Sequence, residues 1–122
     1  MLKVLVIDDE KLIRWSLKEL FSQEGHQVDT VATAEDALKQ IAESTYHLVF
    51  ADLEINNVDG FSVLKKIKSI QPKANIIILS ALSRPQIEPQ LSDLSIFAIV
   101  EKPFNAEQIR AIARDALNNI DL

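Results

Sequence analysis

Val4-Leu5-Val6-Ile7-Asp8-Asp9-Glu10 decides the fold: four consecutive aliphatic residues, three of them β-branched, run directly into three adjacent acids. A half-exposed strand alternates apolar with polar, so an unbroken aliphatic run reads as a strand buried on both faces, as in a parallel sheet covered by helices. The acids therefore sit at the strand's carboxyl end. In an open α/β sheet, ligands bind in the crevice outside that edge. Crowded carboxylates raise one another's pKa, so the cluster is costly unless a cation or a basic side chain offsets it.

The pattern recurs along the chain. Leu48-Val49-Phe50-Ala51 ends at Asp52, Ile76-Ile77-Ile78-Leu79 ends at Ser80, and Phe97-Ala98-Ile99-Val100 is followed by Glu101-Lys102-Pro103-Phe104, while Gln27 to Val31 alternates like a shorter strand. Between these runs the apolar spacing turns helical. Leu12, Ile13, Trp15, Ser16, Leu17, Leu20 and Phe21 place a first helix over about residues 11–24, with Gly25 at its C-cap. Thr33, with Asp36 three residues on, starts a second helix like a capping box with Asp in the acid's place, and Ala37, Leu38, Ile41 and Ala42 share its face. Glu54 to Gly60 reads as a polar loop holding Asn56-Asn57 and Asp59-Gly60. Phe61, Val63, Leu64, Ile67 and Ile70 then form the stripe of a third helix, ended by Pro72, and Ile109, Ile112, Ala113, Ala116 and Leu117 define the last one.

Alternation places a fourth helix between Leu82 and Ser95, yet Pro85 and Pro89 fall inside that stretch. An interior proline costs roughly 3 kcal/mol. Pro85 fits a first turn, whereas Pro89 would then lie within the helix, and each proline disfavours helical dihedrals at the residue before it, Arg84 and Glu88. The expectation is a distorted or shortened helix, broken near Glu88 and more mobile than its neighbours.

Five strands alternating with about five helices imply an α/β doubly wound parallel sheet with helices on both faces. Right-handed crossovers collect Asp8, Asp9, Asp52, Ser80 and Lys102 on one edge. A lone acid after a strand is ordinarily a loop residue or a helix cap, but three acids, a hydroxyl and a lysine at four strand ends need another account. Asp9, Asp52 and a backbone carbonyl supply hard oxygen ligands suited to Mg²⁺. Lys102 can pair with an anion there and Ser80 can hydrogen-bond to it. With one carboxylate free as nucleophile, the set suits phosphoryl transfer through an aspartyl phosphate.

Composition narrows the classes. The 122 residues fit one domain, 48% of them are hydrophobic, and no apolar run approaches the ~20 residues of a membrane span, so a soluble protein is expected. Met1 leads straight into the first strand without a secretory signal, which points to the cytoplasm. The absence of cysteine excludes disulfides and thiolate zinc sites, and a net charge of −5 without a basic run argues against direct nucleic-acid binding. No linker, repeat or low-complexity segment interrupts the chain.

The chain resembles a receiver domain of a two-component response regulator over essentially all its length. The motifs that carry the resemblance are the acid pair after the first strand, an aspartate 43 residues after Asp9, a hydroxyl residue 28 residues later at Ser80, and Lys-Pro-Phe beginning 22 residues after that. The resemblance implies a flavodoxin-like strand order of 2-1-3-4-5 and a cis peptide between Lys102 and Pro103. It implies that Asp52 accepts a phosphoryl group from a histidine kinase, without the chain being an enzyme beyond its own Mg²⁺-dependent phosphorylation and slow dephosphorylation. Asp9 and Asp52 would hold Mg²⁺, Asp8 through water or by orienting that shell, and Glu54 through its backbone carbonyl. Ser80 would move toward the phosphoryl group and Lys102 would pair with its oxygen. The implied output is a conformational switch acting on an output domain, a partner or a phosphorylation-dependent homodimer, in transcription regulation. A helix running to Leu122 would end where an output domain begins, so a domain from a longer regulator is expected. Ile13-Arg14-Trp15 is similar to receivers of sigma-54-dependent activators.

Several positions depart from the family. Asn56 stands where a loop proline is common, Ser95-Ile96 where Gly-Ala is usual, and Ile99 where an aromatic is usual three residues before the lysine. These set the fourth helix and the output face apart. Trp15 is read as packing at a helix surface or interface, Phe104 as core, His26 and His47 as surface residues without metal-ligand spacing, and Lys65-Lys66-Lys68 as the solvated face of the third helix. Two rival functions share features of the chain. A Mg²⁺-dependent phosphatase with an aspartate nucleophile would use Glu54 as the second acid, but lacks a cap-sized insertion. A phosphorylation-independent docking module would keep the pocket as a relic.

Overall fold

The computed structural model describes residues 1–55, 58–91 and 94–118; the expectations for Asn56, Asn57 and the end of the last helix fall outside them. The main sheet holds β1 (Lys3–Ile7), β2 (Gln27–Val31), β3 (Leu48–Asp52), β4 (Asn75–Ser80) and β5 (Ala98–Glu101). All are parallel, in the order β2-β1-β3-β4-β5. The helices are α1 (Lys11–Gln23), α2 (Ala34–Glu43), α3 (Gly60–Ile70), α4 (Arg84–Ile87) and α5 (Ala106–Asn118). This is the doubly wound, flavodoxin-like arrangement expected.

The two-residue period of each strand sorts its side chains between two cores. Val4, Val6, Leu48, Phe50, Ile77 and Leu79 pack with Leu17 and Phe21 of α1 and Ile109, Ala113 and Ala116 of α5. Leu5, Ile7, Val49, Ala51, Ile76 and Ile78 pack on the opposite face with α2, α3 and Ile87 of α4. Phe21 and Phe50 meet with ring centroids 5.5 Å apart. Not every residue of the apolar pattern is inside: Leu12, Trp15 and Ile70 are exposed, as is Ala42.

The helix ends follow from their capping chemistry. Gly25 adopts φ 83°, the left-handed position that favours glycine, and the N–H groups of Gly25 and His26 close on the carbonyls of Ser22 and Phe21, the paired bonds of a Schellman motif. Thr33 accepts the N–H of Asp36 at 3.1 Å, and Asp59 accepts that of Phe61 at 3.1 Å. Lys68 is not simply a solvated residue: its Nζ donates to the carbonyls of Pro72 and Ala74 beyond the end of α3. The polar loop after Asp52 contains a short antiparallel pair, Glu54–Ile55 with Val58–Asp59, too brief to leave a sequence signal.

The fourth helix is a single turn, Arg84–Ile87, continued as a 3₁₀ turn over Glu88–Leu91. Pro85 lies in the first turn, as its missing N–H allows. The break falls near Glu88, but its expected cause is only partly correct. Glu88 stays helical, with φ −49° and ψ −41°. The chain passes Pro89 by tightening from α to 3₁₀ geometry, so Glu88 keeps helical dihedrals.

Candidate functional site

β1, β3, β4 and β5 end on one edge and carry the site there. Asp8 follows β1 and is fully buried; Asp52 closes β3 and Ser80 closes β4, both buried. Each is held by backbone chemistry of its own turn. Asp8 Oδ1 accepts the N–H of Glu10 at 2.8 Å, and the Asp8 carbonyl accepts from Arg14 Nη1 at 2.8 Å. Asp52 Oδ1 accepts the N–H of Glu54 at 2.9 Å. Ser80 Oγ accepts the N–H of Leu82 at 2.9 Å, and the Ser80 carbonyl accepts that of Lys102 at 2.7 Å.

Lys102 joins these ends. Its Nζ lies 3.0 Å from Asp52 Oδ2, 3.1 Å from Asp8 Oδ2 and 3.3 Å from Glu10 Oε1, beside a cis Lys102–Pro103 peptide. Burial works against the ammonium, but hydrogen bonds and charge attraction from Asp52 and Asp8 outweigh it and hold the Lys102 pKa above the ordinary lysine range. Asp8 shifts upward because burial penalises its charge more than the Glu10 N–H and Lys102 favour it, and the charge of Asp52 pushes the same way.

One carboxylate oxygen from each of Asp8, Asp9, Glu10 and Asp52 lies within 4.8 Å of the others. Four carboxylates against the Lys102 ammonium and the neighbouring Arg14 guanidinium leave a net negative pocket. Hard oxygen donors with an exposed side at Asp9 and Glu10 suit a divalent cation such as Mg²⁺, which keeps several waters.

The structure thus brings together Asp8, Asp9, Asp52 and Lys102, with Ser80 bonded to the backbone of Lys102. Glu54 reaches the site through its N–H on Asp52, while its side chain is exposed. The structure adds Glu10 and Arg14 to the residues expected there. Glu10 stands third in the acid run and Arg14 four residues on, one helical turn, which is the signal that could have found them. His47 is exposed, as expected, and His26 is half-buried; each also caps the backbone, Nδ1 of His26 accepting from Leu2 N–H at 3.0 Å and Nδ1 of His47 from Lys3 N–H at 2.8 Å, at the opposite edge of the sheet. Trp15 is 60% exposed and, with Leu20, Phe104 and Ile109, lines a groove between α1 and α5. Phe104 is half-buried against the α1/α5 core.

Residues 4–114 match the response regulator receiver domain. The chain belongs to that family. Sporulation initiation phosphotransferase F of Bacillus subtilis is 32% identical over 108 residues, covering 88% of this receiver and 87% of that protein. The transcriptional regulatory protein DltR of Streptococcus agalactiae is 31% identical over 113 residues, of whose length this receiver spans 50%. Among solved structures, the response regulator TrrA of Thermotoga maritima in complex with Mg²⁺ and BeF superposes with a TM-score of 0.83 at 34% identity, covering 95% of this chain and 99% of that one. Among the described residues, no helix is long and apolar enough to cross a membrane.

Proposed function

We propose that Asp52 accepts a phosphoryl group from the phosphohistidine of a histidine kinase and that the chain, as a single receiver domain, then switches conformation to control an output domain or partner. The observation that carries this reading is the Lys102 ammonium bridging Asp8 and Asp52 within a four-carboxylate pocket. A carboxylate oxygen of Asp52 forms the new P–O bond as the P–N bond breaks, and the electron pair leaves with the imidazole. Asp52 is already oriented for this by the Glu54 N–H and Lys102. Lys102 then exchanges a carboxylate for a phosphoryl oxygen, and the Ser80 hydroxyl donates to the same group. Asp9, Asp52 and the Glu54 carbonyl would hold Mg²⁺, with Asp8 acting through water or by orienting that shell, and the cation would supply positive charge to the phosphoryl oxygens. Kinship with transcriptional regulators such as DltR supports a transcriptional output for the whole protein, and membership of the receiver family supports a cytoplasmic location.

Acetyl phosphate and intact mass test the reading. With Mg²⁺ the wild type gains one phosphoryl adduct, and Asp52→Asn or EDTA abolishes it. Turnover of acetyl phosphate without an adduct indicates the phosphatase instead, and no reaction the docking module.

A further inference from the structure

The segment between Ser80 and α4 is fastened at both ends to the same strand. At one end the Ser80 carbonyl accepts the N–H of Lys102 at 2.7 Å; at the other, Glu101 Oε1 accepts the N–H of Arg84 at 3.1 Å across 17 residues of sequence. Glu101 pairs with Ser80 in the β4–β5 register and immediately precedes Lys102, whose Nζ holds Asp8 and Asp52. The last residue of β5, Glu101, thus contacts the first turn of α4, and the residue after it, Lys102, contacts the carboxylate pocket. α4 itself is one turn long, so few internal bonds hold its start. Gln86 Oε1 accepts the N–H of Ser83 at 2.8 Å, which organises the turn without attaching it to the sheet. Attachment comes from Ile87, buried in the core beneath, and from Glu101.

We propose that Glu101 is a positioning residue for the switch: by tying the first turn of α4 to the end of β5 it stabilises the resting arrangement of residues 81–84, and so sets how much phosphoryl binding energy is needed to leave it. The inference rests on the receiver reading above. A ligand shifts a two-state equilibrium only by its differential affinity, and its apparent affinity falls with the fraction of competent state. Loosening a tether specific to the resting state therefore tightens apparent binding of a phosphoryl mimic. A lost hydrogen bond of ordinary strength corresponds to roughly a fivefold change.

The test titrates beryllofluoride with Mg²⁺ into wild type, Glu101→Ala and Glu101→Gln, following amide shifts, and measures hydrogen exchange at residues 82–88 without the mimic. Glu101→Ala is expected to exchange several-fold faster there and to reach half-saturation at roughly fivefold lower beryllofluoride. Glu101→Gln, which keeps the acceptor oxygen, is expected to lie close to wild type in both. If wild type responds and Glu101→Ala responds at the same or higher concentration, the latch is overturned while the receiver reading stands. If wild type shows no response to beryllofluoride, both fall together.

Discussion

Lys102 carries opposite duties toward its two neighbours. It satisfies Asp8, which is fully buried and pays for its charge in desolvation, and Asp52, which as the proposed phosphoacceptor would have to remain available for reaction. Removing one member of an enclosed ion pair costs about 3–5 kcal/mol, but Asp9 and Glu10 leave this site open to water on one side, so Lys102→Ala should cost about 1–3 kcal/mol in EDTA and still fold. Added Mg²⁺ should recover most of that loss, because the cation then faces the carboxylates without a competing ammonium. Denaturant midpoints with EDTA and with Mg²⁺ check this; a Mg²⁺-induced gain no larger than in wild type would refute it. The phosphorylation-induced amide shifts of the variant should be weakened. The sequence exposed this charge balance only in part. Asp8, Asp9, Asp52 and Lys102 are marked by their places at strand ends, and Glu10 and Arg14 by the acid run and the helical turn that follows it, whereas the contact of Glu101 depends on side-chain reach across to the start of α4, which no periodicity encodes.

The fourth helix shows how local chemistry sets the length of an element. Ile87 supplies its single buried side chain, and Pro89 removes an N–H that an α-helix continuing past Ile87 would use. Pro89→Ala should therefore extend α-helical protection into residues 88–91, raising it several-fold in hydrogen exchange. Net stability should change by no more than about 1 kcal/mol, since the restored helical bond is offset by greater freedom of the unfolded chain. Unchanged protection in the variant would show that something other than the proline ends the helix. The long elements were legible because their apolar pattern spans several turns or a whole buried strand. The Glu54–Ile55 and Val58–Asp59 pair is two residues a side and had no pattern to read. Asp59-Gly60 has the pattern of a turn, but the reason for Gly60 lies in packing: it begins α3, where a Cβ would collide with the carbonyl oxygen of Leu53 and lie 2.8 Å from its Cα. Such an approach is visible only once β3 and α3 are both in place.

At the scale of the whole molecule, the two edges of the sheet are built from opposite chemistry. The carboxyl edge gathers acids around Lys102; the amino edge uses imidazole nitrogens of His26 and His47 as acceptors for the first backbone N–H groups of the chain. His26 links stability to pH. Its pKa is lowered, first by burial and also by the N-terminal ammonium, with Glu24 at 4.0 Å opposing. Phe21 lies against its ring, and Arg110 engages Glu24 from α5 at 3.1 Å. A depressed folded pKa means that the unfolded chain takes up the proton first, so the contribution is fully present above the ordinary value of 6.5 and is lost as pH falls from there through the lower folded value. Protonation would also convert Nδ1 from acceptor to donor opposite the Leu2 N–H. Wild type should accordingly lose stability from this residue as pH falls from 7.5 to 5.5, read as a falling Tm. His26→Asn keeps an acceptor at the δ position without titrating there. It should start lower at pH 7.5, from the lost ring packing, and show a flatter profile across that window. Parallel pH profiles for the two proteins would assign the acid sensitivity of this edge to another group.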